Sequence, residues 1–311
     1  MSAPAASVPP AATTTRARRS LAGRRTRSAL NQPSNVLTLA MVAALAYFIL
    51  PLAWLVIAAT KSNSGLFASF GLWFDGTNID LVANIRQTLT FEDGIFVRWA
   101  ANTLLYALVS SGGAALLATL AGYAFAKYDF PAKEVLFTVV LGSVMVPSTA
   151  LAIPTYLLFS RVGLVDTPWA IILPSLMSPF GVYLMRVYAE GAVPDSLIEA
   201  GRVDGAGEGR IFWQIAFRLL TPGFVTVLLF TLVATWNNYF LPLVMLNDPQ
   251  WYPLPVGLAQ WNAQASGGGG AQALFSIVIT GSLLSIVPLV AAFLLLQRYW
   301  QSGLSAGGVK E

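Results

Sequence analysis

The sequence predicts an all-α membrane protein: six transmembrane helices with a short cytoplasmic helix between the fourth and fifth. Three observations carry this. Hydrophobic residues make up 56% of the 311 positions and charged residues only 10%, where soluble domains carry about a quarter charged, and the mean hydropathy is +0.66. Six runs contain no Asp, Glu, Lys or Arg: Val36 to Thr60, Trp99 to Ala126, Val135 to Ser160, Thr167 to Met185, Leu219 to Asn247 and Ala273 to Gln297. Each is close to or above the roughly 20 apolar residues that carry a helix across a bilayer. Positive charge is unevenly distributed between the connecting segments, and Lys and Arg are retained on the cytoplasmic side.

Residues 1–35 combine Ala, Pro and Thr with Arg16, Arg18, Arg19, Arg24, Arg25 and Arg27, the composition of a disordered basic tail. The apolar run behind it is too long for a signal peptide, whose apolar region spans roughly 7 to 15 residues. With the N-terminus inside, fourteen of the eighteen Lys and Arg fall on the cytoplasmic side, and Lys61, Arg86, Arg98 and Arg161 remain outside. Both termini are then cytoplasmic in a multi-pass membrane protein, with a transmembrane domain over 36–300 and a tail over 301–311.

Between the first two spans, Lys61 to Arg98 reads as a polar segment capping the outer face. The second span places Ala114, Ala118 and Gly122 on one helix face, and such small-residue faces let membrane helices approach closely. Pro147, Pro154, Pro168, Pro174 and Pro179 interrupt the third and fourth spans; each removes a backbone donor and invites a kink. These prolines fit either irregular packing or a bundle built to flex. In the fifth run, Asn237, Asn238 and Tyr239 are expected to face the bundle interior or a wet translocation path, because amides are costly in hydrocarbon. The last external loop carries Trp251, Tyr252 and Trp261 ahead of the glycines 267–270. It fits an interfacial aromatic belt or a mobile loop reaching toward a sugar or a sugar-loaded partner.

The chain has neither His nor Cys, so the commonest general base, metal ligands and any thiolate nucleophile are missing. Metal hydrolysis is disfavoured and no metal site is expected. No G-x-x-x-x-G-K-[ST] phosphate loop occurs either. The charge-free runs also weigh against an ion-coupled secondary carrier, the alternative reading, since such carriers place ionisable residues within their spans. A protein that moves solute by this route draws its energy from elsewhere.

The polar stretch over 194–222 is the exception to the apolar pattern. Ser196 and Glu199 fit a capping box, Pro194 fits a helix start and Gly205 a helix stop. Together they predict a two- or three-turn surface helix. Glu199, Ala200, Gly201, Asp204, Gly205 and Ala206, followed by Phe212, Ile215 and Pro222, reproduce most of the E-A-A-x-x-D-G-A signature of ABC-importer permeases. Further stretches, among them "NTLLYALVSSGGAALLATLAGYAFAKYDFP", "WNNYFLPLVML" and "GLSAGGVK", resemble the MalG-like carbohydrate branch. The likeness spans everything but the basic tail. Two positions depart from the pattern: Gly201 stands at the second alanine and Arg218 at a usual proline.

The resemblance implies an ABC type I importer permease fold in a bacterial inner (plasma) membrane and no chemistry of its own. It implies a coupling helix, with Glu199, Ala200, Gly201, Arg202, Asp204, Gly205 and Ala206, docking on a cytoplasmic ATPase. It also implies that the tail, through Gly307, Gly308 and Lys310, reaches between two ATPase subunits, which bind the ATP and Mg. The remaining expected partners are a second, nonidentical permease subunit, an extracytoplasmic sugar-binding protein, the lipid membrane and the sugar itself. Nucleic acid is not expected.

Overall fold

The computed structural model describes residues 34–74, 79–267 and 274–306, with side chains up to residue 297. Residues 1–33 of the basic tail, glycines 268–270, and Gly307, Gly308 and Lys310 lie outside the described residues. All regular structure among the described residues is helical. The chain divides into two units, 1–54 and 55–311.

The described part of the first unit is the leading stretch of α1 (Asn35–Ala59), an uninterrupted apolar helix with Pro51 inside it. Ser34 starts it, its hydroxyl accepting from the Leu37 N–H at 3.4 Å, as an N-capping side chain does.

In the second unit, α2 (Asn63–Ala68) and α3 (Leu81–Thr90) precede α4 (Ile95–Lys127), followed by α5 (Lys133–Ser143) and α6 (Ser148–Arg161). Next come α7 (Trp169–Ser175), α8 (Pro179–Ala192), the short α9 (Asp195–Val203) and the long α10 (Glu208–Trp236). Helices α11 (Phe240–Met245), α12 (Leu254–Ser266) and α13 (Phe275–Ala306) complete it. Five helical stretches are long and apolar enough to cross a membrane, or six when the bent pair α5 and α6 is taken as one broken span.

That pair corrects the continuous third helix expected over 135–160, for α5 and α6 meet at 103°. Pro147 supplies the reason: it has no N–H and disfavours helical geometry in the residue before it. The carbonyls of Leu141, Gly142 and Ser143 instead take turn bonds from Val144, Met145 and Val146 at 3.1–3.2 Å.

The fifth run is also redistributed. α10 begins eleven residues ahead of Leu219, passes through the exposed Arg218, and ends where Asn237 closes it. Arg218 keeps an N–H that proline would remove, and no sharp bend forms there. Just upstream, Phe212–Ala216 forms a π-turn in which the Phe217 N–H donates to the Phe212 carbonyl. Such turns widen a helix locally.

The core sits where α4, α8 and α10 pack together. Ala114, Ala118 and Gly122 are buried on α4 as the spacing predicts. A Cβ on Gly122 would stand 2.5 Å from that of Met185 on α8, so the two backbones touch there only because the side chain is absent. Met185, Ala189, Val193, Ile211 and Leu220 continue this core toward α9.

Candidate functional site: the surface helix and the outer loop

Helix α9 forms where the sequence places a surface helix, but it starts differently. Pro194, with ψ of 136°, is the N-cap and Asp195 the first helical residue. Ser196 therefore lies inside the first turn, and no side chain caps the helix. The capping box expected of Ser196 and Glu199 does not form. Asp195 instead brings a carboxylate to the positive end of the helix dipole and ion-pairs with Lys127 of α4 at 2.8 Å.

The stop is as expected. Gly205 adopts φ of +77°, its N–H donates to the Arg202 carbonyl at 3.0 Å, and the Ala206 N–H donates to the Gly201 carbonyl at 2.9 Å. This pair of bonds is the Schellman closure, which favours glycine because a side chain is strained in left-handed backbone.

One face of α9 is held. Ile198 and Gly201 are buried, and a Cβ on Gly201 would lie 3.1 Å from Ile211 and 3.3 Å from Ile215. The glycine at the second alanine position thus lets α9 sit close on the start of α10.

Arg202, expected among the outward charges, turns back instead: its Nε donates to Glu208 Oε1 at 2.7 Å, while the Tyr128 hydroxyl donates to Glu208 Oε2 at 2.6 Å. Burial, and then the hydrogen bond to the Glu208 carboxylate, push the Tyr128 phenol above its ordinary pKa, so it stays a donor. One carboxylate therefore joins α9, α10 and the end of α4.

The other face is open. Glu199, Ala200, Asp204 and Gly205 are exposed, and Val203 is 88% exposed. The Glu199 and Asp204 carboxylates make no hydrogen bond or ion pair with the described residues. The helix is thus anchored on one side, and on the other it leaves two carboxylates that can take charge-assisted bonds from a cationic partner group, among residues small enough for close approach. Glu208 is the participant that sequence reasoning missed. Its place in the first turn of a helix after Gly207 was a signal, but Tyr128 is 80 residues away.

At the other end of the bundle, the segment after α11 is tied down. Asn102 Nδ2 donates to the carbonyls of Gln250 and Tyr252 at 2.7 and 3.1 Å, Trp99 Nε1 to that of Pro249 at 2.8 Å, and the Tyr106 hydroxyl to that of Trp251 at 2.9 Å. Asp166 Oδ1 accepts from the Asn247 and Asp248 N–H groups at 2.8 and 3.0 Å. Trp251 and Tyr252 are half-buried in this fixed loop.

Trp261 is neither a belt residue nor a reaching side chain. It lies fully buried on α12, 4.6 Å from the Trp99 ring and stacked on Phe96. Its segment folds as a helix against α4, so the ring becomes core.

Asn237, Asn238 and Tyr239 form the break between α10 and α11, with Asn237 and Tyr239 exposed and Asn238 half-buried. The Asn237 amide donates back to the Val233 carbonyl at 2.9 Å.

Residues 114–301 match the profile of the family described as binding-protein-dependent transport system inner membrane components. The chain is 33% identical over 272 residues to the arabinooligosaccharides transport system permease protein AraQ of Halalkalibacterium halodurans, covering 87% of this chain and 94% of that one. It is 32% identical over 264 residues to the lactose transport system permease protein LacG of Rhizobium radiobacter, covering 84% and 91%. Its fold matches a crystal structure of a bacterial ABC transporter involved in the import of the acidic polysaccharide alginate, with a TM-score of 0.74, 21% identity, and coverage of 93% of this chain and 100% of that one.

Proposed function

The chain belongs to the family of binding-protein-dependent transport system inner membrane components, and from that premise we propose that it is one of two nonidentical permease subunits of an ATP-driven sugar importer. It forms half of the translocation pathway. An extracytoplasmic binding protein delivers the sugar, and two separate ATPase subunits, which bind ATP and Mg, drive alternating access. Both termini are cytoplasmic, and the C-terminal tail meets the ATPase pair through Gly307, Gly308 and Lys310. A sugar as cargo is supported by the arabinooligosaccharide and lactose systems of its relatives.

The observation that carries the coupling role is the two-sided character of α9. Ile198, Gly201 and the Arg202–Glu208–Tyr128 bonds fix it to α4 and α10, and Glu199, Asp204 and Val203 are left for a partner. Motion imposed on the open face passes to both helices through short, satisfied bonds. Family membership displaces the ion-coupled carrier as an alternative.

The test is recovery of a tagged chain from its native membrane. Co-recovery of a second permease and a P-loop ATPase, with uptake of a radiolabelled oligosaccharide that stops when ATP is withheld, is the expected result. Recovery of the chain alone, with uptake that survives ATP depletion and collapses with the proton gradient, overturns the proposal.

A further inference from the structure

The segment between α1 and α3 is built inside out. Within ten residues, Lys61 is 1% exposed while Phe70 is 74% exposed. The Lys61 ammonium donates to Ser69 Oγ at 2.9 Å and to the Phe70 carbonyl at 2.7 Å, and Ser69 in turn donates to the Gly65 carbonyl at 2.6 Å. Asn84 Nδ2, itself buried, donates to the carbonyls of Ala59 and Lys61, both at 2.9 Å. Lys61, Ser69 and Asn84 thus bond inward, to the turn's own carbonyls and to one another. Phe67, Phe70, Leu72, Trp73 and Phe74 point outward, Trp73 with 69% of its surface free.

A loop facing water has the opposite arrangement, because burying a cation is costly and exposing rings gains nothing. The expectation of a polar external cap over the whole of 61–98 therefore fails for its first part: residues 62–74 carry no charge, and charge resumes at Asp75.

From this geometry we propose that residues 66–74 form an interfacial anchor seated in the lipid headgroup region at the outer end of the first span. Continuity selects lipid over another medium. The segment starts seven residues after Ala59, the last residue of the 25-residue apolar helix α1, so it leaves the hydrocarbon at that level. Trp and other rings are favoured there, where the apolar body meets acyl chains and the polar edge meets water. Lys61 is the positioning residue: its ammonium donates to the Phe70 carbonyl and the Ser69 hydroxyl oxygen, so it ties the two ends of the turn together and leaves neither acceptor bare toward lipid.

The test uses the absence of native cysteine. Trp73→Cys and, separately, Phe70→Cys are labelled with an environment-sensitive fluorophore in the complete complex, reconstituted into phosphatidylcholine and phosphatidylglycerol vesicles. Quenching is measured with a lipid nitroxide near the headgroup, one near the chain end, and aqueous iodide. The expected result is shallow-nitroxide quenching at least about twofold stronger than deep quenching, with iodide quenching well below that of an exposed α3 control, Arg86→Cys. Full iodide access with no lipid quenching overturns the proposal. Protection from all three quenchers overturns it equally, because a protein then covers the rings. Neither outcome bears on ATP coupling or cargo.

Discussion

Replacing Gly205 separates backbone strain from contact at the proposed coupling surface. The residue sits at φ of +77° with nothing within 4 Å of the place a Cβ would occupy, so a side chain meets no obstacle inside this chain. The whole intramolecular cost is left-handed geometry, about 1–2 kcal/mol for Ala and more for a β-branched residue. A shift of that size changes the population of the closed Schellman turn roughly five- to thirtyfold. Gly205→Asn tolerates this geometry best among the other residues. Uptake by membranes with matched amounts of inserted protein should therefore fall in the order Gly, Asn, Ala, Val, with α4 and α10 unaffected and heat stability in detergent nearly constant. Uptake by Gly205→Val equal to that of the parent would refute the reasoning. If Asn were as damaging as Val, strain would be the wrong cause, and obstruction at the partner's surface would replace it.

Glu199→Ala should lower uptake about tenfold or more and raise ATP hydrolysis uncoupled from sugar, since its carboxylate is free for a charge-assisted bond with the partner; unchanged coupling would assign Glu199 to solvent. Tyr128→Phe removes one bond to Glu208 and should cost about 1 kcal/mol, seen as faster proteolysis between Asp204 and Glu208, with insertion intact. Trp261→Ala should destabilise the bundle by about 3–5 kcal/mol, read as loss of the folded protein on heating, whichever sugar is present; a change in sugar preference alone would contradict its core position. Cysteines at Asn237 and Asn238 should react with a small polar thiol reagent in at least one nucleotide state, and protection in every state would mean that a partner subunit covers the break.

Charge-free runs located the spans because only apolar residues tolerate hydrocarbon, but they misplaced helix ends. α4 starts ahead of Arg98, and α10 carries Arg210 and Arg218. Long cationic side chains reach out to the interface while their backbone stays helical, so charge marks the edge of lipid and not the end of a helix. Pro147 signalled a break, yet its 103° angle depends on how α5 and α6 pack. Gly205 was legible because a positive φ selects for glycine locally. The Arg202–Glu208–Tyr128 bonds and the burial of Trp261 were not, since each depends on residues far apart in the chain. Trp261 was misread because aromatic residues at span edges have two fates, and only the packing of α12 on α4 decides between them.

The carboxylate of Glu208 has a mechanical consequence. Helix α9 is about 13 Å long and α10 about 43 Å, at 1.5 Å per residue, and Glu208 ties them at the first turn of the longer one. In the proposed coupling role the pair acts as a lever with a short handle and a long arm. If the partner rocks the handle by about 5°, Trp236 at the far end of the arm sweeps roughly 4 Å. The π-turn at Phe212–Ala216 lies one helical turn from the fulcrum, so its compliance sets how much of that stroke reaches the far end and how much is absorbed as local flexing.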